Sequence, residues 1–184
     1  MAERACPRSV TGRAARPAPA WRRRTHAPML SAVDPWSPRI IARVRNGRES
    51  TADSDWAALE SEIVMEPGCE PGLAGLEQFS HAIVLFLMDR EPDPEPPALV
   101  RRPRGRADMP MLGVFAQRGR MRPNPIGATT VAIVRVEPGR LIVRGLDAID
   151  GTPVLDLKPH VPNFDRPAEP RVPAWMDELM RGYF

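Results

Sequence analysis

Residues 81–88 read HAIVLFLM, an unbroken apolar run whose length suits a strand covered on both faces better than a helix. This run is expected to lie at the centre of a sheet. Outward from it, the other β-rich runs are short and punctuated by Pro and Gly. Arg39–Val44 (RIIARV) opens the domain as a strand, and Glu62–Met65 is a second, stopped by Pro67 and Gly68. Thr129–Val136 and Leu141–Leu146 are β-branched runs joined at Glu137-Pro-Gly-Arg140, a hairpin signal, and Pro153–Leu157 is one more strand. Leu73–Leu76 suits a turn of helix, Thr51–Ala58 a polar loop around Trp56, and Pro173–Met180 a short helix with Asp177 and Glu178 near its positive end. About six or seven short strands with little helix predict a mainly β chain, a small single antiparallel sheet closed or nearly closed into a barrel. No βαβ alternation occurs, and no G-x-G-x-x-G follows a strand, so a Rossmann layer is not expected.

The formal charge of +3 hides a division. Residues 1–30 hold seven arginines and one acid, Glu3, which leaves the remainder at −3. The folded part is therefore mildly acidic, and its composition does not favour broad phosphate binding. Residues 1–35 mix Ala, Pro and Arg with almost no aliphatic periodicity, which predicts a disordered extension ahead of one domain at 36–184. Translation starting at Met29 accounts equally well for that segment, whereas Pro7, Pro17 and Pro19 interrupt the amphipathic helix of a transit peptide. No apolar run approaches the ~20 residues that span a bilayer, so a soluble protein without a membrane partner is expected. Cys6 and Cys69 show neither disulfide nor metal spacing, which fits a reducing cytoplasm and predicts no metal site.

Two constellations carry chemistry. The first is GVFAQRGRMRPNPIG, residues 113–127, where Pro123 and Pro125 fix φ on either side of Asn124 and push Arg122 and Asn124 toward extended geometry. Such a loop presents Arg118, Arg122 and Asn124 with little entropy left to lose on binding; it is equally readable as a stiff connector between strands. Upstream, Glu91–Pro110 holds prolines at 92, 94, 96, 97, 103 and 110 and arginines at 101, 102, 104 and 106, a composition for a long surface loop and the one visible basic patch. The second constellation, LDAIDGTPVLD at 146–156, sets Asp147, Asp150 and Asp156 around a turn at Gly151. Carboxylates there can accept ribose hydroxyls or an exocyclic amine, each such bond contributing roughly 1.5–3 kcal/mol. They can also chelate a divalent cation or simply satisfy turn amides. His81 opens the apolar run and reads as a packed imidazole, while His160, between Pro159 and Pro162, can face a ligand.

Taken together, FSHAIVLFLMDR (79–90), GVFAQRGRMRPNPIG and LDAIDGTPVLDLKPHVP (146–162) resemble the TsaA-like, or TrmO, family. The resemblance covers about Arg39–Pro162 and departs from the common family form at Gln117, Gly119, Met121 and the Asp89-Arg90 pair. It implies a small β-barrel, usually homodimeric, that binds S-adenosylmethionine near the subunit contact and methylates N6-threonylcarbamoyladenosine in tRNA. The cofactor contacts it implies fall on Asp89, Arg90, Arg118, Ala128, Asp147, Ala148, Ile149 and Asp150, with Arg122, Asn124 and Lys158 as candidates for contact with the substrate. No catalytic residue is assigned; Asp89 and His160 are the candidates for a base, which the displacement does not strictly require. Three readings follow from this: methyl transfer to tRNA or a related small molecule, a non-catalytic sensor of an adenosine ligand on the same barrel, and metal-dependent hydrolysis through Asp147, Asp150 and Asp156.

Overall fold

The computed structural model describes residues 38–52, 54–90 and 98–184. The extension expected at 1–35 and the prolines at 92, 94, 96 and 97 lie outside the described residues. The chain forms β1 (Ala42–Arg45), β2 (Glu60–Met65), β3 (His81–Leu87), β4 (Val100–Arg101), β5 (Leu112–Gly113), β6 (Ile126–Glu137), β7 (Arg140–Arg144) and β8 (Pro153–Pro159). Two short helices follow, α1 (Pro162–Asp165) and α2 (Ala174–Leu179). Six strands close a barrel in the order β1-β2-β7-β6-β3-β8, and β4 and β5 pair in a separate two-stranded sheet. All the pairs are antiparallel, and β1 closes the ring on β8 through Ala42 opposite Val154 and Arg43 opposite Pro153. Pro153 is tolerated because it is the first residue of its strand, where the missing N–H interrupts least of the ladder.

The apolar run at 81–88 is the strand expected, held between β6 and β8 at the heart of the ring. Its burial alternates instead of being uniform. Ala82, Val84 and Phe86 point into the barrel and are buried, while Ile83, Leu85 and Leu87 face outward and are half-buried. A barrel has one interior, so a strand in it buries one set of alternate residues, and the outward apolar row is left for something outside the ring. The interior is filled by Val44, Ile63, Val84, Phe86, Val131, Leu141, Val143 and Val154, with Leu146 and Ala148 from the loop after β7. Each of these Val, Ile, Leu and Phe side chains contributes roughly 1.5–3 kcal/mol by leaving water.

Two irregularities shape the wall. Register shifts between Ile133 and Arg135 on the β6–β7 ladder, and between Leu85 and Phe86 against β8. Bulges of this kind bend a long strand such as β6 around a narrow barrel. Phe86 lies directly opposite Gly127, and a Cβ built at Gly127 would overlap the Phe86 ring. The start of β6 thus passes the ring only because that position is glycine. The segment expected to be a plain loop after residue 97 carries the β4–β5 pair, and Pro103–Gly105 forms a single 3-10 turn. The β6–β7 hairpin, the strand at 153 and the helix after Pro173 lie where the sequence puts them.

Candidate functional site

The chain segments that carry the two constellations meet around one end of the barrel. There β3 ends at Leu87 opposite Ile126, which opens β6, and the loop joining β7 to β8 turns back across the ring. Arg118 donates to the Ala128 carbonyl oxygen. The next residue, Thr129, donates its hydroxyl to Asp147 Oδ1. The Arg90 guanidinium donates to the Asp150 carbonyl oxygen. The arginine hook, the end of β3 and the acidic loop are therefore joined by a continuous chain of contacts.

Within that cluster the acids are not equivalent. Asp150 Oδ1 accepts the backbone N–H groups of Asn46 at 2.8 Å and Gly47 at 3.1 Å, and Oδ2 lies 3.6 Å from Arg45 Nη1. The two backbone donors, then Arg45 and Arg90, hold its carboxyl below the usual carboxylate range. Asp150 is thus a clasp that pins the turn after β1 to the β7–β8 loop. Asn46 completes it by donating Nδ2 to the Ala148 carbonyl at 2.9 Å and to Ser61 Oγ at 3.0 Å. Asp147 is half-buried, and its second oxygen accepts the Tyr183 hydroxyl at 2.6 Å. Asp89 is exposed, and its carboxylate makes no bond among the described residues. Ala148 is buried and Ile149 half-buried in the same loop.

The proline-braced loop holds itself. Buried Gln117 donates Nε2 to the carbonyls of Arg101 at 3.0 Å and Leu112 at 3.1 Å, tying it to β4 and β5. Arg122 donates to Gly119 O at 3.0 Å, to Val114 O at 3.2 Å and to Gln117 O, so its guanidinium staples its own loop. Asn124 is exposed, with its carbonyl accepting the Ile126 N–H at 2.7 Å.

His160 and Lys158 lie elsewhere. His160 N–H donates to the His81 carbonyl at 3.0 Å, at the first residue of β3, and Lys158 pairs with Ile83 in the ladder. The length of β3 separates His160 from Asp89, roughly 20 Å at ~3.3 Å per residue. Within the chain the two candidate bases therefore cannot serve one reacting atom. His160 Nδ1 lies 3.2 Å from Asp165 Oδ2, a pairing by proximity, since this buried nitrogen has no aligned hydrogen bond. Lys158 Nζ lies 2.7 Å from Asp156 Oδ2, which raises the lysine's pKa. Asp147, Asp150 and Asp156 thus face three separate sets of partners, and among the described residues no group of three His, Cys, Asp or Glu side chains could hold a metal ion. The arrangement needed for hydrolysis through those three aspartates is not formed.

Thr129, Asn46 and Tyr183 escaped the sequence reading. Their partners lie 18, 104 and 36 residues away, and no local pattern marks such pairs.

A closed six-stranded antiparallel barrel with arginines and carboxylates clustered at one end defines the class, a small β-barrel. Residues 49–166 match the family described as the tRNA-methyltransferase O N-terminal domain, and the chain belongs to that family. It is 41% identical over 118 residues to a putative S-adenosylmethionine-dependent methyltransferase, RcsF, of Pseudomonas aeruginosa, covering 58% of this chain and 49% of that protein. It is 42% identical over 98 residues to the tRNA (adenine(37)-N6)-methyltransferase of Mus musculus, covering 53% of this chain and 22% of the mouse protein. An S-adenosyl-L-methionine-binding protein of Archaeoglobus fulgidus is 41% identical over 105 residues, 57% of this chain and 72% of the archaeal one. A crystal structure of TrmO from Pseudomonas aeruginosa superposes with a TM-score of 0.62 at 31% identity, covering 79% of this chain and 64% of that one. The chain thus spans about half the length of the Pseudomonas relative and about a fifth of the mouse one.

Proposed function

We propose that this protein is an S-adenosylmethionine-dependent methyltransferase that modifies N6 of an adenosine in tRNA, N6-threonylcarbamoyladenosine in particular, and works as a cytoplasmic homodimer. The observation that carries the proposal is the joining of Arg118, Ala128, Asp147 and Arg90 at one barrel end, in a chain of this family. The donor set suits the cofactor. Its ribose hydroxyls and exocyclic amine match the carboxylate of Asp147 and the loop carbonyls, its carboxylate matches an arginine, and its cationic end matches the exposed carboxylate of Asp89. Asp89, Arg90, Arg118, Ala128 and residues 147–150 are proposed to line its site, with Arg122 and Asn124 toward the acceptor; Lys158, toward the other end of β3 and paired with Asp156, is not part of that group. When bound, the cofactor supplies an electrophilic methyl group for in-line displacement by the acceptor nitrogen.

The chain's own part is orientation and exclusion of water. Fixing donor and acceptor in line can supply at most roughly 7–11 kcal/mol. Arg118 is anchored on Ala128 O by one of five guanidinium N–H groups, which leaves further donors for a carboxylate. Arg122 acts on the acceptor through the shape of the loop it staples. The homodimer is supported by the outward row of Ile83, Leu85 and Leu87, continued by Ile126 opposite Leu87, an apolar strip that a second protomer can cover. No helix among the described residues is long and apolar enough to cross a membrane.

Calorimetric titration with S-adenosylmethionine and its demethylated product, followed by methyl transfer to bulk tRNA, tests the proposal. Binding and tritium incorporation into tRNA are expected. No heat with either ligand sinks it. A second reading, a binding protein without turnover, is favoured by the separation of Asp89 from His160 and by the archaeal binding protein, of whose length this chain covers more than it does of the Pseudomonas or mouse relative. Cofactor heat without transfer to tRNA or to any fraction of a cell extract selects it.

A further inference from the structure

The segment after α1 reaches back to the acidic loop from outside the residues matched to the family. The match ends at residue 166, and Tyr183 lies beyond it. Tyr183 is nonetheless the residue that donates to Asp147 Oδ2 at 2.6 Å, while Thr129, on β6, donates to Oδ1. Two donors, one on each oxygen, fix the plane of a carboxylate. A carboxylate offers about four lone-pair directions, so one on each oxygen stays available to a ligand.

The phenol is held from behind. Glu178 Oε1 lies 3.0 Å from Arg106 Nη2, which ties α2 to the arginine loop. The Arg104 guanidinium lies over the Tyr183 ring at 5.6 Å. Buried Trp56 offers its backbone N–H to the Tyr183 carbonyl at 3.5 Å. A hydroxyl anchored this way orients Asp147 without a large entropy cost at the moment of binding.

We propose that Tyr183 is a positioning residue of the cofactor site: it acts through Asp147, holding that carboxylate in the orientation that accepts the vicinal hydroxyls of a nucleoside. This rests on the reading of Asp147 as a cofactor contact. In this chain the 174–184 segment is therefore part of the binding apparatus, and the contacts of Arg104 and Arg106 link the basic loop to it.

The test is calorimetry with S-adenosylhomocysteine on the full chain, its Tyr183→Phe and Asp147→Asn variants and the double variant, each checked for folding by thermal melting. Tyr183→Phe is expected to bind about tenfold more weakly, the scale of one charge-assisted hydrogen bond. The double variant is expected to bind no more weakly than Asp147→Asn alone. With the 2′-deoxy analogue, the difference between wild type and Tyr183→Phe is expected to shrink. Unchanged affinity in Tyr183→Phe, additive losses in the double variant, or tighter binding without the phenol would each overturn the proposal, the last by showing that the tyrosine occupies the ligand's place. Should Tyr183→Phe fail to fold, Glu178→Gln, which loosens the same segment, carries the test and is expected to weaken binding severalfold; unchanged affinity there overturns it too. Absence of heat with the wild type would instead remove the cofactor reading on which the inference stands.

Discussion

Asp150 shows how one side chain in the candidate site can serve the fold. Its carboxyl is held below the ordinary range mainly by the Asn46 and Gly47 N–H groups, so the folded state favours the ionised form. A depressed pKa contributes stability above the unfolded value, and that contribution disappears as pH falls through the lower folded value. Urea unfolding of wild type and Asp150→Asn should therefore differ most at neutral pH, with the gap closing below about pH 4; a gap that stays constant would mean the charge is irrelevant. Gly127 makes the steric counterpart. Gly127→Ala drives a methyl group into the Phe86 ring on the paired strand, and the expected loss is about 1–3 kcal/mol by denaturant titration. A simultaneous Phe86→Leu change should recover part of it, whereas equal losses with and without the ring would exclude the clash as the cause.

At the scale of elements, the barrel strands and the segment from 98 to 122 obey different rules. The barrel is held by one apolar cluster, whereas the segment buries Met109 and Val114 outside that cluster and adds polar clasps such as Gln117 on the carbonyls of Arg101 and Leu112. Gln117→Ala is expected to leave the melting temperature of the barrel nearly unchanged while hydrogen exchange rises across residues 98–122. Protection lost equally in β3 and β6 would show the two to be one cooperative unit. The same difference explains what could be read from sequence. Residues 126–144 declare a hairpin because β-branched runs flank Pro138-Gly139, a local signal. The pairing of β4 with β5 left none, because two-residue strands carry no periodicity and Pro103 and Pro110 argue for loop. The run at 81–88 declared its strand but not its faces, since a strand with one buried row and one half-buried apolar row reads in sequence like a strand buried on both. At the candidate site, Arg118 and Asp147 could be named from motif and resemblance. The clasp role of Asp150 and the tyrosine on Asp147 depend on contacts between segments far apart in sequence, 104 and 36 residues for the two bonds.

For the molecule as a whole, charge decides how an RNA would approach. The sequence beyond residue 30 carries a net −3, so attraction for phosphate must come from a local patch. The arginines of the 101–106 loop are not equal parts of it. Arg101 is half-buried and donates to Met121 Sδ at 2.8 Å, and Arg106 is paired with Asp108 and Glu178. Arg102 and Arg104 are both exposed, the first donating to the Met109 carbonyl and the second lying over the Tyr183 ring. If the loop meets tRNA, Arg102→Ala with Arg104→Ala should weaken binding across tRNA species and lower the slope of log affinity against log salt by roughly one for each phosphate no longer neutralised. The measurement is filter binding of bulk tRNA at several salt concentrations without cofactor, which separates this effect from any disturbance passed through Tyr183 to Asp147. A slope that does not change would place the RNA on another face, with the loop serving only to anchor α2.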